Sequence, residues 1–176
     1  MTSSPLPEIG EQAPGFSGRS HHGEVIELQR LAGSPVLLMF YPFAFSRVCD
    51  SELQALVARR CRVRELRARV LAISCDPMHS LRAYAQMLTS EVADAESSDA
   101  ESASAAPGEL PFDLVSDFWP HGEIAQRYGA FDLEKGAARR SSFLLDSTLR
   151  VAHVQSVEAS QARDLDEALS LLGRLR

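Results

Sequence analysis

Two unbroken apolar runs constrain this chain more than any other feature. Val36–Tyr41 and Ala68–Ser74 carry no polar alternation. A strand with one wet face alternates, so these runs read as strands covered on both faces, as in the middle of an α/β sheet. Between them, from Cys49 to Leu66, the pattern changes period. Leu53, Leu56, Val57 and Cys61 fall at i, i+3, i+4 and i+8, with arginines on the other side. That is an amphipathic helix with Cys61 on its apolar stripe.

The remaining chain fits around this core. Residues 1–14 are Pro-rich and irregular. Phe16 to Leu28 reads as a β-hairpin whose polar turn, Ser20–Gly23, leaves His21 and His22 in solvent. Ser80–Leu88 is a modest helix, Leu110–Val115 a strand, and Pro120–Tyr128 a short helix stopped by Gly129. Ser142–Asp146 and Arg150–Val154 are strands joined by a tight turn at Ser147-Thr148, and Gln161–Leu172 is the last helix. Thr89–Glu109 is Ser, Ala, Asp and Glu with almost nothing to bury, so it is expected to be a flexible acidic insertion. The result is one domain over residues 1–176: an α/β fold, with a central mixed sheet flanked by helices and an N-terminal β-hairpin.

Charge and cysteine usage exclude several functions. A net charge of −6 argues against nucleic acid as a partner. No apolar run is long enough to cross a bilayer, and the first residues lack a basic segment followed by an apolar core. The cytoplasm is the expected compartment. The cysteines, Cys49, Cys61 and Cys75, form neither a C-x-x-C nor a metal-ligand spacing. Their odd number speaks against a disulfide framework. Nothing in the chain calls for a metal or cofactor.

Cys49 is the residue with a chemical context. It follows a buried strand, a break at Pro42 and a turn through Ser46-Arg47, and it stands where a helix begins. Free N–H groups and the macrodipole at a helix start favour an anion, and the thiolate is the nucleophilic form of cysteine. A thiolate attacking an O–O bond also needs donors for the oxygen that leaves. Pro42 can shield such a site without adding an N–H. Ser46, three residues before Cys49, brings a hydroxyl across one turn. Glu52, three residues after it, can accept from an arginine or cap the first turn.

Pro42-x-x-x-Ser46-x-x-Cys49 is the active-site pattern of the peroxiredoxins, with Ser where Thr is usual. The longer string FYPFAFSRVCDSEL resembles the active-site segment of AhpE-type (alkyl hydroperoxide reductase E) peroxiredoxins. So do Ser116–Gly122, Tyr128-Gly129, the Gly10-x-x-Ala13-Pro14-x-Phe16 opening and Ile73-Ser74-x-Asp76-Pro77. Two departures are Ser46 itself and Gly15, which stands where the family has an acidic residue. The resemblance implies a thioredoxin-like fold and a site of Cys49, Pro42, Ser46, Arg140 and Glu52. Arg140 is assigned because it precedes Ser142-Phe143, and Glu52 would position it. Arg139 would point the other way on a strand. The implied activity is thiol-dependent reduction of hydrogen peroxide and organic hydroperoxides, with Cys49 passing through a sulfenic acid. For that chemistry the sulfur must be reachable and Arg140 must stand beside it.

Sequence spacing also bears on how Cys49 is reduced. A continuous helix would separate Cys49 from Cys61 by about 18 Å, whereas a disulfide needs Cα atoms within about 7 Å. Cys61 therefore reads as a small buried hydrophobe. Cys75 ends a core strand, on the edge where such sites lie, but is not a resolving position in the family. A one-cysteine cycle is expected, with an external thiol as reductant: thioredoxin, a mycoredoxin or a low-molecular-weight thiol. The resemblance also implies a homodimer. Phe43, Phe45 and Phe118 could form an apolar collar for organic hydroperoxides, while Phe118 and Trp119 read as core or dimer-interface aromatics. The competing function is a redox sensor or thiol-exchange protein that relays Cys49 oxidation to a partner.

Overall fold

A computed structural model describes residues 5–96 and 109–175. The first hairpin is β1 (Ser17–Ser20) and β2 (Val25–Glu27). Then come β3 (Val36–Phe40), α1 (Arg47–Ala58), α2 (Arg60–Glu65), β4 (Arg69–Ser74) and α3 (Met78–Glu96). After the undescribed stretch follow β5 (Asp113–Ser116) and α4 (Glu123–Arg127). A two-residue pairing of β6 (Phe131–Asp132) with β7 (Ala137–Ala138) precedes β8 (Ser141–Leu145), β9 (Val151–Ser156) and α5 (Leu165–Leu172).

Among the described residues one large sheet has the order β2-β1-β5-β4-β3-β8-β9. β3, β4 and β5 run parallel, and β1 and β8 pair antiparallel on either side of them. The mixed sheet and the opening hairpin are those expected. The apolar runs lie at the centre for the reason given: every residue of β3 is fully buried. Val36, Leu38 and Phe40 face the layer holding α4, while Leu37, Met39 and Tyr41 face the layer of α1, α3 and α5. Fully burying one such side chain is worth about 1.5–3 kcal/mol, which holds β3 at the centre of the fold.

Several boundaries differ from the sequence reading. The helix expected over Cys49–Leu66 starts earlier, at Arg47, and breaks at Arg59, whose backbone leaves the helical region (φ −97°, ψ 17°). Past the break Val63 faces the core and Cys61 is exposed, so the buried reading of Cys61 is corrected. His21 is also buried rather than solvated. It extends the pairing of β1 with β5: its N–H donates to the Leu114 carbonyl at 2.8 Å, and its Nδ1 accepts the Leu114 N–H at 3.2 Å. Burial, aided by the charge of His22, holds its pKa below the ordinary histidine value.

Helix α3 runs past Leu88 to Glu96, into the stretch expected as an acidic loop. The hydroxyls of Thr89 and Ser90 fold back on carbonyls of the preceding turn, so both have acceptors where the helix continues. The rest of that expected insertion, 97–108, lies outside the described residues. α4 is shorter than its pattern and follows Gly122 at φ 69°. Asp117 caps it, with its two carboxylate oxygens accepting the N–H groups of Ile124 and Ala125, each at 2.9 Å. α5 starts only at Leu165, capped by Asp164, which accepts from Glu167 N–H at 2.9 Å.

Candidate active site

The site forms where β3 hands the chain to α1. After Tyr41, Pro42 is buried, Phe45 takes a left-handed backbone (φ 61°), and Ser46 returns to extended geometry as the N-cap of α1. The Ser46 side chain makes no capping bond. The helix ladder starts with Asp50 N–H donating to the Ser46 carbonyl at 2.8 Å. Cys49 is therefore in the first turn, where backbone N–H groups have no intrahelical partner. Its side chain points inward among Tyr41, Leu53 and the other apolar residues of the α1 layer.

Glu52 lies one turn further on the same side of α1 and is 2% exposed. Two arginines converge on its carboxylate. Arg140, at the head of β8, donates from Nη1 to Oε2 and from Nη2 to Cys49 Sγ at 3.3 Å. Arg163, just before α5, donates to Oε1 from its backbone N–H at 2.7 Å and from Nε at 3.1 Å, and to Oε2 from Nη2 at 2.8 Å. Its Nη1 spans the carbonyls of Phe40 and Ser141 and the Ser142 hydroxyl, tying α1, β3 and β8 together. Burial pushes the Glu52 carboxyl up, but the hydrogen bonds and charge of Arg163, with the charge of Arg140, hold it below the ordinary glutamate value.

Arg139 is exposed while its neighbour Arg140 is buried, as alternation along extended chain requires. Arg163 escaped the sequence reading. All but one of the 18 cationic residues are arginines, so its type gave no signal, and its only local mark is standing before the helix cap Asp164.

The expectation that the sulfur is reachable is corrected: Cys49 is 0% exposed, because its side chain turns into the α1 layer of the core. On its outer side the Arg140 guanidinium is itself covered. The Ala159 carbonyl accepts from Arg140 Nε at 3.3 Å and Nη2 at 3.1 Å. Ala159 belongs to a strap, residues 157–162, between β9 and α5, pinned by Val157 N–H on the Arg140 carbonyl at 3.0 Å. Beside it opens a cavity of about 500 Å³, whose lining includes Pro42, Arg140, Ala159, Arg139 and Lys135. Pro42 and Arg140 thus line the cavity, and Arg140 Nη2 also touches the sulfur. The three cysteines are free thiols. Burial, and then the charge of Asp117, pushes the Cys75 thiol up to about 12.

Four aromatic residues around this end of the molecule lie outside the core. Phe43, Phe45 and Phe118 are about half exposed and Trp119 is 83% exposed, which corrects the core reading of Phe118 and Trp119. Phe118 and Trp119 line a different cavity, of about 540 Å³, beside Pro77 and Met78.

The comparisons with known proteins run the length of this architecture. Alkyl hydroperoxide reductase E of Mycobacterium tuberculosis is 28% identical over 157 residues, 89% of this chain and 90% of the relative. Peroxiredoxin 1 of Brugia malayi is 30% identical over 164 residues, 92% of this chain and 66% of the relative. The crystal structure of Enterococcus faecalis AhpC superposes with a TM-score of 0.76 at 22% identity, covering 96% of this chain and 92% of that one, so the fold is thioredoxin-like. The AhpC/TSA family pattern spans residues 9–154, from the opening irregular segment through β9's Val154, and therefore encloses Cys49, Glu52 and Arg140. By that match the chain belongs to the AhpC/TSA family of peroxiredoxins.

Proposed function

We propose that the chain reduces hydrogen peroxide and organic hydroperoxides at Cys49 in a one-cysteine cycle. Membership of a thiol-dependent peroxidase family supports the reaction class. The observation that carries the choice of residues is the 3.3 Å contact of Arg140 Nη2 with Cys49 Sγ in the first turn of α1. A cation there can hold negative charge on sulfur and then on the oxygen that leaves.

Once the covering over the sulfur opens, the Cys49 thiolate attacks one peroxide oxygen. An S–O bond forms as the O–O bond breaks, the sulfur loses two electrons, and the departing alkoxide or hydroxide takes up a proton as ROH or water. Arg140 and the Ser46 hydroxyl donate to the oxygens, Pro42 screens the sulfur, and Glu52 sets the angle of Arg140. The sulfenic acid then condenses with an external thiol, releasing water and leaving a mixed disulfide. A second thiol frees Cys49 and departs with the first as a disulfide. Thioredoxin, a mycoredoxin or a low-molecular-weight thiol fits that role. An external thiol is favoured because Cys49 points into one core layer while Cys75 lies in the layer on the other face of the sheet and Cys61 points out to solvent from α2. Three free cysteines suit the cytoplasm. The exposed aromatics Phe43, Phe45, Phe118 and Trp119 suit burial against a second copy of the chain.

The test is peroxide treatment followed by sulfenic-acid trapping and mass measurement, with and without a thiol reductant. Modification of Cys49, its loss in Cys49→Ser, and turnover with added thiol are expected. Oxidation without turnover would point instead to a sensor, and an internal Cys49 disulfide would overturn the one-cysteine cycle.

A further inference from the structure

We infer that Asp76 is a positioning residue for the peroxide reaction, holding the Pro42–Ser46 loop in the shape that frames Cys49. The inference rests on the reading of Cys49 as the attacking sulfur. Asp76 lies just beyond the end of β4, before Pro77. Its Oδ2 accepts the Ala44 N–H at 2.9 Å and the Ser74 hydroxyl at 2.8 Å. Its own carbonyl accepts the Ser116 hydroxyl at 2.7 Å, so the residue is braced against the ends of β4 and β5 before it reaches the loop.

Ala44 is the midpoint of the loop, and the next residue is Phe45 at φ 61°. A bulky residue adopts that conformation only where its surroundings impose it. Asp76 imposes it from one side, by fixing the peptide N–H one residue earlier. α3 does so from the other: the Phe45 ring packs on Tyr84 at a centroid distance of 4.8 Å, and Tyr84 Oη donates to Asp50 Oδ1 at 2.6 Å, beside Cys49. Pro42 and Ser46 are the two ends of this loop, and Cys49 lies one turn beyond Ser46. Among the described residues Asp76 makes no hydrogen bond to Cys49, Glu52 or Arg140. Its influence passes through loop geometry.

The experiment compares wild type, Asp76→Ala and Asp76→Asn by the rate of Cys49 sulfenic-acid formation with hydrogen peroxide, across a pH series. Thermal melts are recorded alongside. Asp76→Ala should lower the second-order rate constant about tenfold or more, the scale of a misplaced reacting group, with the pH midpoint unmoved. Asp76→Asn keeps an oxygen for Ala44 N–H and should stay within about threefold of wild type. Asp76→Ser, whose hydroxyl is too short to reach Ala44, should be as slow as Asp76→Ala and serves if the alanine variant does not fold. A wild-type rate in Asp76→Ala or Asp76→Ser overturns the inference. So does an equal loss in Asp76→Asn, or a loss accounted for by a moved pH midpoint. A wild-type protein whose Cys49 does not react overturns the reading of Cys49 itself, and the inference with it.

Discussion

Because Cys49 is fully covered, its reaction with any reagent requires the protein to open, and the strap over Arg140 is the element placed to do so. The perturbation is to replace Ala159 and Ala162 together with glycine. Both side chains are exposed, so no packing is lost, and the Ala159 carbonyl remains to accept from Arg140. What changes is backbone freedom in the open form. Each Ala→Gly exchange is worth about 0.4–1 kcal/mol of chain entropy. Two of them favour opening by about 1–2 kcal/mol, which at 1.4 kcal/mol per decade is about 5- to 30-fold. The assay is native-state alkylation by iodoacetamide at low conversion, with the Cys49 and Cys61 peptides quantified separately by mass spectrometry. Cys61 is exposed in another part of the fold and serves as the internal clock. The expected result is a 5- to 30-fold faster Cys49 signal against an unchanged Cys61 signal. An unchanged Cys49 signal would refute the reasoning, since the sulfur would then be reached by a route that leaves the strap in place.

Two further outcomes follow from the buried ion cluster and from one glycine. Glu52→Gln leaves two buried guanidinium groups without their counter-charge and should cost about 3 kcal/mol in urea unfolding. The folded carboxyl lies below its ordinary value of 4.5, so its contribution is complete above that pH and is lost as pH falls through the lowered folded value. Wild type should therefore lose stability on acidification below 4.5 more steeply than Glu52→Gln; parallel pH curves would contradict this. Gly122 sits at φ 69°, and a Cβ there would come within 2.1 Å of the Phe131 ring. Gly122→Ala should cost about 2 kcal/mol and lower Tm by about 4–8 °C, read by calorimetry; an unchanged Tm would mean the ring yields freely.

How much of this was legible depended on whether the signal was local. Val36–Phe40 could be placed at the sheet centre because an apolar run without alternation has no other stable location. Cys49 could be placed at a helix start because Pro42 and the polar turn announce one. Cys61 could not be placed correctly. The break at Arg59 involves neither Pro nor Gly, and a slip of phase there moves every later residue to a new face. His21 was misread because its partner, the Leu114 N–H, is 93 residues away and belongs to a strand pairing that composition does not reveal. Arg140 was singled out only through the family pattern, and Arg163 not at all. Their roles come from meeting at Glu52, 88 and 111 residues along the chain.

That long reach affects how the protein is made. The Glu52 carboxylate leaves the ribosome well ahead of both of its guanidinium partners, the second of which is 111 positions downstream. Until Arg163 emerges, the nascent chain has α1 but lacks one of the two guanidinium groups that converge on Glu52. Completion of the buried charge cluster therefore belongs to the last stage of synthesis, so a chain that ends before Arg163 would leave the Glu52 carboxylate with Arg140 as its one guanidinium partner among those two.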